Sequence, residues 1–379
     1  MTKSLLWAFF LACSWTWCIG MFLPVLLVRN WGIWAWVVFA VPNVIGAAAM
    51  GWAIRSRQQS EDMLIAHRPA MAVFSLITIA FHVYFVYWFV AERLMGPWLL
   101  VIPVAAFFLI WTAGRKSPQT DPRMAAIIWV LSMIAFGVFA WRTGWRLDLL
   151  PARWPAHEVL WLVPVCVIGF ALCPYLDATF HRVFLASGGR SGLVFTPGFG
   201  VFFLCMIAFT LWYAKPIAAL IYPGNAGSVP RTIALLIGCH MSLQSAFTVA
   251  VHVRELERMQ MPMRFRLTAL AVLFGAAFLA AFISKVDLQR WIGVDGGEAG
   301  YWLFMSLYVL PFSAYVWMFM IPRRGISRPP ARRGLMILLL LLLIAGPLYW
   351  IAILHRQMPL LAVGVGLLLL SRWVPPKRV

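Results

Sequence analysis

Twelve apolar stretches, most of them near 20 residues long, constrain this chain more than any other feature; they run near 5–28, 31–54, 70–91, 97–113, 124–141, 158–176, 193–214, 232–253, 267–284, 300–321, 335–354 and 358–371. A helix needs about 20 apolar residues to cross the hydrocarbon core of a bilayer, and only helices and closed barrels satisfy their own backbone there. Repeated through 379 residues, the pattern predicts an all-α polytopic membrane protein of about twelve transmembrane helices. The fourth and twelfth stretches are short and the last could be a hairpin or interfacial segment, so the expected range is ten to twelve. Composition agrees, since 63% hydrophobic and 11% charged residues leave too few charges to cover a soluble surface. A cytosolic enzyme and a disordered chain are both excluded.

Charge then orients the chain. The 31 basic against 12 acidic residues give a net charge of +19, a balance that often marks nucleic-acid binding. Here the basic residues lie singly between apolar runs and form no patch interleaved with aromatics, so the expected partners are the lipid bilayer and a small-molecule solute, with no nucleic acid. Nothing in the pattern specifies an oligomeric state. If the N-terminus is cytoplasmic, the inward loops hold 21 of the 31 Lys and Arg. The richest are Arg323-Arg324 with Arg332-Arg333, and Arg254, Arg258, Arg264 and Arg266. The positive-inside rule therefore predicts an integral protein of the cell (inner) membrane with both termini cytoplasmic. Phe10-Leu11-Ala12-Cys13 loosely resembles a lipoprotein cleavage box, but the apolar run continues past Trp17 and reads as a retained first span. All six cysteines lie in apolar segments without a CxxC pair, which suits small buried hydrophobes.

The polar residues inside the spans are few enough to weigh singly. Asp177 is the one carboxylate of the twelve assigned to a span, at the inner end of the sixth. Burying it is costly, so it reads either as a functional group or as an interfacial residue held by His181 or Arg182. In an unbroken helix Cys173, Asp177 and His181 would share a face and could hold a transition metal, but Pro174 interrupts that helix. The eighth span carries His240, Gln244, Thr248 and His252 at every fourth position, with Ser242 and Ser245 beside them. Such groups commonly bond helix to helix. Ser245 and Thr248 could instead give hydroxyl oxygens to a cation. In the third span His82 and Tyr84 lie deep enough to line a cavity whose aromatic faces would favour an organic cation, while Tyr87 and Trp88 suit interfacial anchors. No hydrolase, phosphate-loop or zinc-ribbon motif appears, and Gly188-Gly189 reads as a turn between spans.

The first and sixth spans are the hardest for a helix to cross intact. Gly20 and Pro24 interrupt one, and Pro164, Gly169 and Pro174 the other. Paired interruptions of this kind point to a transporter binding site. Each set, spans one to five and six to ten, holds an odd number of spans, so the second enters from the opposite side, as an inverted repeat requires. The expected organisation is a first repeat over 1–157 (spans one to five), a second over 158–321 (spans six to ten) and two C-terminal spans over 322–379.

Met21-Phe22-Leu23-Pro24 leading through Val28-Arg29-Asn30-Trp31-Gly32 into a span with Phe39, Pro42 and Gly46 resembles the first two spans of sodium-coupled symporters of the leucine-transporter fold, the amino acid-polyamine-organocation and sodium:solute symporter-like group. The resemblance covers span number, orientation and about 30 residues of motif. It implies a 5+5 inverted repeat and alternating access, with a cation held between first-helix carbonyls near Cys18 to Met21 and the hydroxyls of Ser245 and Thr248. The solute site it implies would take in Trp17, Gly20, His82, Tyr84, Cys173, Tyr175 and Asp177. The function expected is thus a secondary transporter of a small organic solute with no cofactor beyond a coupling Na+ or H+. That group pairs adjacent hydroxyl residues on the eighth helix, which this chain lacks, and the short charged segments show no intracellular gate pair. The competing classes are an intramembrane metal or haem enzyme built on His82, His240 and His252, and a non-transporting assembly subunit.

Overall fold

The computed structural model describes all residues except 1–2, 118, 150, 188–189, 222–228, 284, 287, 322–327 and 374–379. The turn expected at Gly188-Gly189 and the basic pair Arg323-Arg324 lie outside the described residues. Among those described, every regular element is helical. Helices α1 (Lys3–Trp15) and α2 (Cys18–Trp31) form the first span and α3 (Ile33–Ala53) the second, with α4 (Arg57–Ala66) in the loop that follows. The third to fifth spans are α5 (Arg68–Phe85), widened into π-helical turns over Val86–Met95, then α6 (Val101–Lys116) and α7 (Thr120–Arg142). The sixth is α8 (Leu162–Leu172), a tight turn over Cys173–Leu176, and α9 (Ala178–Ser187). The seventh joins α10 (Ser191–Pro197) to α11 (Leu204–Ile221), and the eighth and ninth are α12 (Arg231–Arg258) and α13 (Met263–Ile283). After the short α14 (Gln289–Ile292) come α15 (Gly296–Tyr315), α16 (Arg332–Leu354) and α17 (Pro359–Leu370).

Ten helices are long and apolar enough to cross a membrane, the α1–α2 pair makes an eleventh, and α17 is a shorter apolar helix. The expected range of ten to twelve spans holds. Burial sorts these helices into shells. The third and eighth spans are each 72% buried over their most apolar windows, whereas α13 is 11% buried and turns Phe274, Phe278 and Phe282 outward. Lipid tails carry no penalty for apolar surface, so such a helix is stable at the rim of a membrane protein. Every residue of α2 is buried, which puts the first span at the centre.

That central span breaks at Thr16-Trp17, with a 57° bend, and not at Gly20 and Pro24 as expected. Pro24 sits inside α2, where the helix runs on past it. The position of the break follows from its partners. The Trp17 indole donates to the Ser14 carbonyl, Thr16 Oγ1 donates to the Ala12 carbonyl at 2.7 Å, and the Cys18 N–H donates to His82 Nε2 at 3.2 Å. Backbone groups freed in lipid must be satisfied by protein, and around Thr16 to Cys18 side chains do so. The sixth span breaks where Pro174 predicts, and not at Pro164 or Gly169, which lie inside the unbroken α8. Asp177 is extended at its end (φ −79°, ψ 105°) and restarts the helix, accepting from the Thr179 N–H through Oδ1 at 2.8 Å.

Two further differences are local. The seventh span runs past the end of its apolar stretch near residue 214, because α11 continues unbroken through Ile221 with Pro216 inside it. Gly46 in α3 is also more than a helix filler. A Cβ there would lie 2.5 Å from the Phe170 carbonyl oxygen, so its absence lets α3 and α8 approach backbone to backbone.

Candidate functional site

The two breaks meet. A small cavity of about 10 Å³ lies between them, walled by Trp15, Trp17, Gly20, Asn43, Cys173 and Tyr308 among others. By that measure it is the size of about one water. Its wall is held by Trp15 Nε1, which donates to Asn43 Oδ1 at 2.6 Å, and by Trp17, whose ring lies 4.7 Å from Trp15 and 5.2 Å, edge on, from Tyr308. Gly169, Phe170 and Val309 are shared with a neighbouring apolar chamber of about 60 Å³.

Of the residues expected at a solute site, Trp17, Gly20 and Cys173 line this cavity. His82 stands behind Trp17, ring centroids 6.4 Å apart. Its Nδ1 faces the Thr78 carbonyl at 2.7 Å while Nε2 accepts from Cys18. A carbonyl can only accept and an N–H only donate, so these partners select the neutral tautomer with the proton on Nδ1. Tyr84 lies elsewhere: its hydroxyl donates to the Gly297 carbonyl at 2.7 Å and ties α5 to α15. Tyr175 contributes its carbonyl to His181 Nε2 at 3.0 Å. Asp177 lies four residues past Cys173 and is fully buried. Neither His181 nor Arg182 holds it, because His181 Nδ1 meets Ser60 Oγ at 2.8 Å and Arg182 pairs with Asp121. Asp177 Oδ2 has no hydrogen-bond partner.

The expected cation ligands separate in the structure. The Cys18 and Met21 carbonyls accept from Tyr301 at 3.2 Å and Tyr213 at 2.7 Å. Thr248 Oγ1 donates to the Cys13 carbonyl at 3.3 Å, on α1 before the break, and Ser245 Oγ, one turn earlier, is buried and unpartnered. The rest of the eighth-span stripe bonds helix to helix: His240 and Gln244 both reach Ser132, and His252 reaches Ser75. No group of three His, Cys, Asp or Glu able to hold a metal occurs among the described residues. Cys173 turns to Ser313 at 3.4 Å, so Cys173, Asp177 and His181 have three different partners.

Two ionic clusters flank the cavity, and sequence reasoning placed their acids at loop edges. Toward one face, Arg29 on α2 makes a two-pronged pair with Glu298 on α15 (3.0 and 2.5 Å), and Trp302 Nε1 donates to the same carboxylate at 3.1 Å. Toward the other, Asp121 on α7 bridges Arg182 of α9, at 2.6 Å, and Arg254 of α12. Asp121 and Glu298 are as fully buried as Asp177, which corrects the reading of Asp177 as the one carboxylate within a span. Both lie in the first turns of helices that begin before the apolar runs do, so hydropathy assigns them to loops. The only signal for them was a lone charge at a span edge.

No protein-family model and no curated protein matches the sequence. The structure is similar to the substrate-bound outward-open state of a Na+-coupled sialic acid symporter, with a TM-score of 0.55 and 12% identity over 99% of this chain and 91% of that one. The chain is therefore a polytopic helical membrane protein. Its fold is that of the sodium-coupled symporter, of the leucine-transporter type.

Proposed function

We propose that this protein is a secondary transporter that moves a small organic solute by alternating access, with both termini on the cytoplasmic side. The observation that carries the reading is the convergence of two broken spans on one small cavity, with a buried ionic cluster toward either face. Irregular backbone at membrane depth is tolerated where it lines such a cavity, and alternating access needs a site reached from one side at a time. Arg29–Glu298 and Asp121–Arg182–Arg254 are placed to be the two closures.

The wall chemistry narrows the solute. It contains no Lys or Arg. At the half-helix starts that could hold an anion, His82 takes the first N–H of α2 and the Asp177 carboxylate already caps α9. An acid such as the sialic acid carried by the structural neighbour would find no cationic partner here. The site suits a neutral or cationic solute against indole and phenol faces, with Asp177 nearby as the counter-charge.

Asp177 also supports proton coupling, because its second oxygen is free to take a proton. Sodium coupling would instead use Thr248, Ser245 and the Cys13 carbonyl. Proteoliposomes with an imposed proton or sodium gradient test both. Accumulation of a labelled amine or neutral solute that collapses with the proton gradient supports the reading. If a panel of amines, neutral amino acids and polyols shows no flux under either gradient, and no solute alters the thermal stability of the purified protein, the reading is wrong.

A further inference from the structure

We propose that this protein holds one anionic phospholipid at a fixed site on its lateral surface, away from the solute cavity and independent of transport. A cleft of about 740 Å³ opens between the end of α7, the later turns of α11 and the start of α12. Arg142, Arg146 and Lys215 line it with a single acid, Asp148, which pairs with Lys215 at 2.5 Å. Two positive charges are left over in a pocket of headgroup size. Below it a second, lipid-facing groove of about 470 Å³ runs between α7 and α12, and the two share Arg142 and Thr232 at their common rim. Its walls are aliphatic, with Leu131, Ile134 and Val138 on one side and Leu235 and Leu243 on the other.

The order of these surfaces, basic outside and aliphatic inside, is the order of polarity along a phospholipid. The lengths agree as well. From Thr232 to Leu243 α12 rises about 16 Å, close to the hydrocarbon depth of one leaflet. A free anion would use the cleft and leave the groove empty, whereas a zwitterionic lipid would fill the groove without neutralising the arginines. An anionic lipid does both, with its phosphate at Arg142 and Arg146 and one acyl chain along α12.

The test uses the purified full chain in mixed micelles, offered dioleoylphosphatidylglycerol, dioleoylphosphatidylcholine or inorganic phosphate. Thermal stability and the lipid retained after washing are measured. The expected result is retention and stabilisation by phosphatidylglycerol alone. R142Q/R146Q should weaken the apparent affinity about thirty-fold, the product of two ordinary contributions of a basic residue at an anionic surface. R142K/R146K should restore it, and A135W, which fills the groove and spares the cleft, should lower retention. Equal retention of phosphatidylcholine, a shift reproduced by phosphate, or unchanged phosphatidylglycerol binding in R142Q/R146Q or A135W would each overturn the proposal.

Discussion

At the scale of single residues, Asp177 divides its work between its two oxygens. Oδ1 caps α9 through the Thr179 N–H, a place where negative charge is favoured by the helix dipole, while Oδ2 is buried and free. The two roles can be separated, because Asn is as good an N-cap as Asp but cannot carry the charge. Asp177→Ala should therefore cost about 1 kcal/mol of stability and Asp177→Asn little, read by thermal or denaturant unfolding in detergent. Proton-driven flux should be lost in both; a fully coupled Asp177→Asn protein would remove Asp177 from the mechanism. His82 makes the converse case, a polar group whose role is the break itself. Replacing it with Phe leaves the buried Cys18 N–H without an acceptor and should cost about 1–3 kcal/mol, with His82→Asn recovering part of the loss.

Among the helical elements, what holds one span to another was the least legible in sequence. Pro174 marks the sixth-span break because the residues beside it support one locally: the turn over Cys173–Leu176 ends on an extended Asp177 that caps the next helix itself. Gly20 and Pro24 mislead because the first break is placed by Cys18 and His82, 64 residues apart. Arg29 and Glu298 are 269 residues apart, and no local pattern pairs them. Gly46 is similar, a tolerated helix glycine in sequence and a backbone contact in space. Gly46→Leu should force α3 from α8 and cost about 1–3 kcal/mol, the usual penalty of overpacking. For the Arg29–Glu298 pair, removing one partner strands a buried charge at about 3–5 kcal/mol, whereas removing both does not. Arg29→Gln should thus speed modification of Cys173 by a membrane-impermeant thiol reagent, with the other five cysteines replaced by alanine. R29Q/E298Q should fall back toward the wild-type rate. An unchanged rate in Arg29→Gln would mean that the pair does not close the path to the cavity.

For the whole molecule, span number and order were legible because hydropathy is additive along the chain and the bilayer thickness sets a fixed length for it to fill. Orientation rests on a different force, the bias of basic loops toward the cytoplasm. The fold makes that bias testable, because it fixes which loops share a face. Arg146 follows α7 and shares a face with the Arg29 end of α2, whereas Arg264, at the start of α13, belongs to the opposite face with the start of α1. Both side chains are exposed, so a cysteine at either position should leave the fold unchanged. With the native cysteines replaced by alanine, R146C should react with an impermeant maleimide in intact cells, and R264C only after the membrane is opened. By the sequence count, 21 of the 31 basic residues fall in the segments expected on the Arg264 side, so reversing the protein would carry most of that charge across the membrane. The opposite labelling pattern would invert the assignment of the two ionic clusters to outer and inner closures while leaving the fold untouched. It would also move the Arg142–Arg146 cleft to the cytoplasmic leaflet, where its lipid would have to come from that side.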